Sequence, residues 1–93
     1  MAGKGKRLPS ASDELTVYIK PGCPWCLAIT GFLRNEGYEF LEIDVLAAGG
    51  ALEEMKDLSG QSLVPTVRLG NSVVGDCRLG ELKRLLQESN LQP

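Results

Sequence analysis

Cys23-Pro24-Trp25-Cys26 places two thiols three residues apart, a spacing that lets them close a disulfide and reopen it. If the segment opens a helix, positions i and i+3 share one face of it. Unpaired backbone amides and the positive end of the helix macrodipole then face the first sulfur and favour its thiolate. Cys23 is therefore the expected nucleophile. Cys26, one turn on and facing inward, is the expected resolving thiol, able to displace whatever Cys23 has captured in a mixed disulfide. A purely structural bridge between the two would close so short a loop that it would restrict the unfolded chain very little. Helix phase leaves Trp25 exposed, either flanking a substrate groove or packed on the neighbouring loop.

The flanking residues supply the elements that this motif needs. Leu15-Thr16-Val17-Tyr18-Ile19, rich in β-branched and aromatic residues, reads as a buried strand, and Lys20-Pro21-Gly22 turns the chain into the motif. From Pro24 to Glu36, Leu27, Ile29, Phe32 and Leu33 recur at roughly helical spacing, Pro24 suits the first helical position, and Gly37 ends the helix. A second strand is expected over Tyr38 to Val45, with apolar residues in both phases that imply cover on both faces. A short helix over Ala51 to Leu58 turns Leu52, Met55 and Leu58 inward. Leu63 to Leu69 reads as a strand entered through Pro65, and Gly70-Asn71 folds it into Ser72-Val73-Val74 as a hairpin. Leu79, Leu82, Leu85 and Leu86 mark a last helix. The order is βαβαββα, and a right-handed crossover sets the first two strands parallel with the hairpin extending the same sheet.

Composition narrows the function classes. The chain has 93 residues, room for one domain, with a tail over Met1 to Asp13 whose Lys4, Lys6 and Arg7 stand among Gly, Ser and Pro, and a folded unit from residue 14 to residue 93. A formal charge of -2 argues against a nucleic-acid partner. No apolar run approaches the about 20 residues that cross a bilayer, so neither a membrane span nor a signal-peptide core is expected. Three cysteines cannot pair fully, which points to a reducing cytoplasm, and with no histidine the chain lacks the four ligands of a usual structural zinc site.

Taken together, Tyr18-Ile19-Lys20-Pro21-Gly22-Cys23-Pro24-Trp25-Cys26, Gly37-Tyr38-Glu39-Phe40, Ile43-Asp44, Ser59-Gly60-Gln61, Val64-Pro65 and Gly75 with Cys77 resemble a dithiol glutaredoxin. The resemblance runs from Glu14 to Gln87. It implies an α/β thioredoxin fold, with a four-stranded mixed sheet flanked by helices. It also implies a monomeric, glutathione-dependent thiol-disulfide oxidoreductase of cell redox homeostasis, acting on protein disulfides and glutathionylated proteins without a metal. In that family the proline after Val64 is cis and leaves the valine amide and carbonyl free to pair with glutathione. Lys20 and Gln61 match positions that serve the glycine carboxylate of glutathione, and Trp25 flanks the groove. Gly75, Asp76, Cys77 and Arg78 match the segment that holds the γ-glutamyl end.

That last segment departs from the family pattern. Asp76 stands in place of a second glycine, and Arg78 and Leu79 stand where acids are usual. Arg78 would repel the γ-glutamyl amine and attract its carboxylate, while Asp76 could recover the amine contact from one position earlier. Cys77 is expected to be a packed small residue rather than a third redox centre. Two rival readings follow from the same resemblance: an electron donor recharged by thioredoxin reductase, which Arg78 and Leu79 favour, and a carrier of a glutathione-ligated [2Fe–2S] cluster, which Pro24 and Cys26 disfavour.

Overall fold

The computed structural model describes residues 15–93. The tail expected over Met1 to Asp13, and Glu14, lie outside the described residues. Strand β1 (Leu15–Ile19) leads through a turn into helix α1 (Pro24–Asn35), and strand β2 (Leu41–Asp44) follows. Helix α2 (Ala51–Ser59), strands β3 (Thr66–Leu69) and β4 (Ser72–Val74) and helix α3 (Leu79–Glu88) complete the chain. The four strands form one sheet in the order β2-β1-β3-β4. β1 runs parallel to β2 and antiparallel to β3, and β4 closes the hairpin against β3. The expected βαβαββα order and mixed sheet are the observed ones.

β1 is central, and its side chains alternate between two cores. Leu15 and Val17 join Ile29, Leu33, Val67, Leu82, Leu85 and Leu86 on the face covered by α1 and α3. Tyr18 points to the other face, against Val45, Ala51 and Met55 of the α2 layer. The period-2 pleat thus makes one five-residue strand the anchor for helices on both sides. Removing a fully buried anchor such as Leu82 would cost about 2–5 kcal/mol.

Register brings the chemistry to one end of the sheet. Ile19 at the end of β1 pairs with Asp44 at the end of β2, and Tyr18 pairs with Thr66 at the start of β3. Val74 at the end of β4 pairs with Val67. The segments that follow β1, β2 and β4, and the one that precedes β3, therefore all emerge at the end where α1 begins.

Five expectations change. β2 begins at Leu41, because Gly37, at φ +83°, and the Tyr38 N–H donating to the Leu33 carbonyl at 2.9 Å wrap up the end of α1 first. β2 is also an edge strand, so Leu41 and Glu42 are exposed instead of covered. Leu27 is 68% exposed, since the buried stripe of α1 is Cys26, Ile29, Thr30 and Leu33, and Leu27 lies outside it. Leu58 sits at the margin of α2, and Leu63, 56% exposed, belongs to the loop before Pro65 and not to a strand.

Candidate active site

Cys23 is the N-cap of α1, in extended backbone (φ -93°, ψ 111°), with Pro24 in the first turn, where its missing N–H leaves no bond unmade. Gly22 precedes it at φ +76°, a left-handed turn position that suits glycine. The Cys26 amide donates to Cys23 Sγ at 3.2 Å, and the Leu27 amide donates to the Cys23 carbonyl at 3.1 Å. One sulfur is thus held at a helix terminus against a backbone donor, in the field of the macrodipole.

The two thiols differ in surroundings. Both are free cysteines; Cys23 is half-buried and Cys26 is buried. Burial pushes the Cys26 thiol up to about 12, and a hydrogen bond to the Cys23 side chain and the charge there push the same way. The Lys20 backbone and ammonium pull it back. Two of the causes that keep Cys26 protonated therefore sit on Cys23 and vanish once that sulfur is bonded to another.

The loop opposite is braced from within. The Val64–Pro65 peptide is cis, as the resemblance implies, and the Pro65 carbonyl accepts from the Cys77 amide at 2.7 Å. Among the described residues neither the amide nor the carbonyl of Val64 has a hydrogen-bond partner. Gln61 is spent on the loop itself: Nε2 donates to Ser59 Oγ (2.8 Å) and Thr66 Oγ1 (3.0 Å), and Oε1 accepts from the Leu63 amide (2.8 Å). Thr66, fully buried, returns a bond to the Leu63 carbonyl at 2.8 Å. Ser59 and Thr66 were missed by sequence reasoning, since their partnership through Gln61 forms only when the loop closes. Gly75 approaches this brace so closely that a Cβ there would lie 2.6 Å from the Gln61 amide.

Beyond Gly75, Asp76 takes a left-handed φ of 51°, and its carboxylate receives Arg78 Nη1 at 2.6 Å. The Arg78 guanidinium lies 4.5 Å over the Trp25 ring, and the Arg78 amide donates to Glu81 Oε1 at 2.8 Å. Trp25 is 55% exposed. Cys77 is completely buried in the core between the sheet and α3. Burial pushes its thiol up to about 12, with Glu81 and Asp76 adding to the rise. Lys20, half-buried beside the motif, has no carboxylate partner among the described residues. Of the residues singled out, Cys26 is placed against Cys23, Arg78 against Trp25 and Asp76, and Gln61 within its own loop, while the side chain of Cys77 lies in the core.

The glutaredoxin family profile matches residues 15–74, well over half of the chain. The chain belongs to the glutaredoxin family. It is 38% identical over 80 residues to a glutaredoxin of Neisseria meningitidis, covering 85% of this chain and 92% of that protein. Its structure is similar to the glutaredoxin from Archaeoglobus fulgidus, with TM-score 0.71, 27% identity and coverage of 89% and 99% of the two chains. It is also similar to NrdH-redoxin from Escherichia coli, a glutaredoxin-like protein with a thioredoxin-like activity profile. There the TM-score is 0.68, the identity 26% and the coverage 77% and 93%. As a member of this family the chain is a glutaredoxin-type thiol-disulfide oxidoreductase on the thioredoxin fold. The family match ends at Val74. No helix among the described residues is long and apolar enough to cross a membrane.

Proposed function

We propose that this glutaredoxin reduces protein disulfides and glutathione mixed disulfides in the reducing cytoplasm, with Cys23 as nucleophile, Cys26 as resolving thiol and glutathione as the reductant. The observation that carries this is the asymmetry of the pair: an accessible sulfur on the α1 N-cap receiving the Cys26 amide, above a buried thiol held up at about 12. Cys23 thiolate attacks one sulfur of the target disulfide, and the other sulfur leaves and takes up a proton. The mixed disulfide removes the charge that opposed ionisation of Cys26, and Lys20 then favours its thiolate. Cys26 gives up its proton, displaces the second sulfur and leaves a Cys23–Cys26 disulfide. Two molecules of glutathione restore the dithiol and become glutathione disulfide. Val64, with its amide and carbonyl unengaged, offers two backbone bonds to an extended substrate. Trp25 walls the groove, and Lys20 supplies a cation for a substrate carboxylate.

The test is turnover of a glutathione mixed disulfide with free glutathione and its reductase. A clear rate is expected, abolished by Cys23→Ser; retained turnover in Cys23→Ser would overturn the assignment. One observation favours a second reading, recharging by thioredoxin reductase. Asp76, the acid nearest to where a γ-glutamyl amine would sit, is already paired with Arg78. Supplying NADPH and thioredoxin reductase in place of glutathione separates the two readings.

A further inference from the structure

Charge at the mouth of the groove is lopsided in what it leaves free. Among the described residues, Asp44, Asp76 and Glu81, which lie on or just after the segments that emerge at this end, each have an internal donor. Asp44 Oδ1 accepts from the Leu46 and Ala47 amides, Glu81 Oε1 accepts from the Arg78 amide, and Asp76 Oδ1 accepts from Arg78 Nη1. Lys20 and Arg78 are cations on the same segments. Arg78 makes one ion-pair contact, to Asp76, and its other guanidinium nitrogens have no acceptor among the described residues. Its side chain and that of Asp76 are each 42% exposed. The guanidinium carbon lies 4.5 Å from the centre of the ring of Trp25, a residue between the two cysteines in sequence, and this contact holds the cation near the motif.

We propose that Arg78 selects disulfides flanked by a carboxylate, and that Asp76 is its internal competitor, occupying one edge of the guanidinium until an acidic peptide engages it. The inference deepens the reading of Cys23 and Cys26 as the reducing pair and rests on it. A carboxylate on the residue next to the target cysteine would meet Arg78 as Cys23 attacks, while a lysine there would meet a guanidinium of like charge.

The test is a single turnover of the pre-reduced chain with cyclic peptide disulfides that differ only in carrying Glu, Gln or Lys beside the attacked cysteine. Each turnover moves two electrons from the dithiol to the peptide, so one disulfide forms on the protein and two thiols on the peptide, with no added reductant. Rates are read by acid quench and mass spectrometry at low and high salt. The Glu peptide is expected to react about fivefold faster than the Lys peptide at low salt, with the ratio falling as salt rises. Arg78→Gln should narrow the series, with Lys20 sustaining what remains, Arg78→Lys should keep its order, and Asp76→Asn should widen it. A flat series in the wild type, an unchanged Glu-to-Lys ratio in Arg78→Gln or a narrowed one in Asp76→Asn would overturn the selection by Arg78 and leave the dithiol chemistry standing. Failure of every peptide to oxidise the chain would overturn both.

Discussion

At the scale of single residues, the division of labour between Cys23 and Cys26 follows from three residues of separation at a helix start. The N-cap sulfur meets a backbone donor at the surface, and the sulfur one turn later is carried under the sheet edge by the same stripe that buries Ile29 and Leu33. Cys26→Ser is therefore expected to leave capture at Cys23 intact and to block only the internal release. Such a variant should keep deglutathionylation by external glutathione, lose at least tenfold in reduction of protein disulfides, and accumulate a mixed disulfide visible by intact mass. Equal loss of both activities would show that Cys26 also serves the first attack. The pair was legible in the sequence because the spacing itself carries the chemistry. The placement of Arg78 was not, because its contact with Trp25 joins residues far apart in the chain and its ion pair with Asp76 depends on the left-handed turn there.

At the scale of elements, the loop between α2 and β3 is held in shape by Gln61, whose amide ties Ser59, Leu63 and Thr66 together, and by Gly75 packed against it. The resemblance placed Gln61 at the glycine carboxylate of glutathione. In the structure its amide is bonded within the loop. Gly75→Ala would drive a methyl group into that amide, and because the amide is pinned by its hydrogen bonds it cannot swing clear. The substitution is expected to destabilise the chain by about 1–3 kcal/mol in urea unfolding and to raise KM more than it lowers kcat. Unchanged stability would mean that the brace yields freely. Strand and helix identities were legible from periodicity and turn residues, with Gly70-Asn71 and Pro24 the clearest signals. The extent of β2 was not, since Tyr38 and Phe40 alternate as a strand does but are taken up against α1 and the core instead.

At the scale of the whole molecule, the three sulfurs lie at different levels: Cys23 at the lip, Cys26 beneath it, and Cys77 in the core on the α1 and α3 face. Cys77 stays protonated in the folded chain up to about 12, whereas in the unfolded chain it ionises near 9. Between those values the unfolded state binds fewer protons, so stability falls as pH rises, and the contribution is present in full below the lower value. Reduced wild-type protein should thus lose stability more steeply across that window than Cys77→Ala, measured as the difference in urea midpoints, and parallel slopes would contradict the burial of this thiol. The most direct measurement of the central assignment is a time course of iodoacetamide labelling of the reduced chain at neutral pH, mapped by peptide mass. Cys23 is expected to be alkylated first and fully, with Cys26 and Cys77 unlabelled until the chain is unfolded; labelling of Cys26 or Cys77 as fast as Cys23 would contradict it.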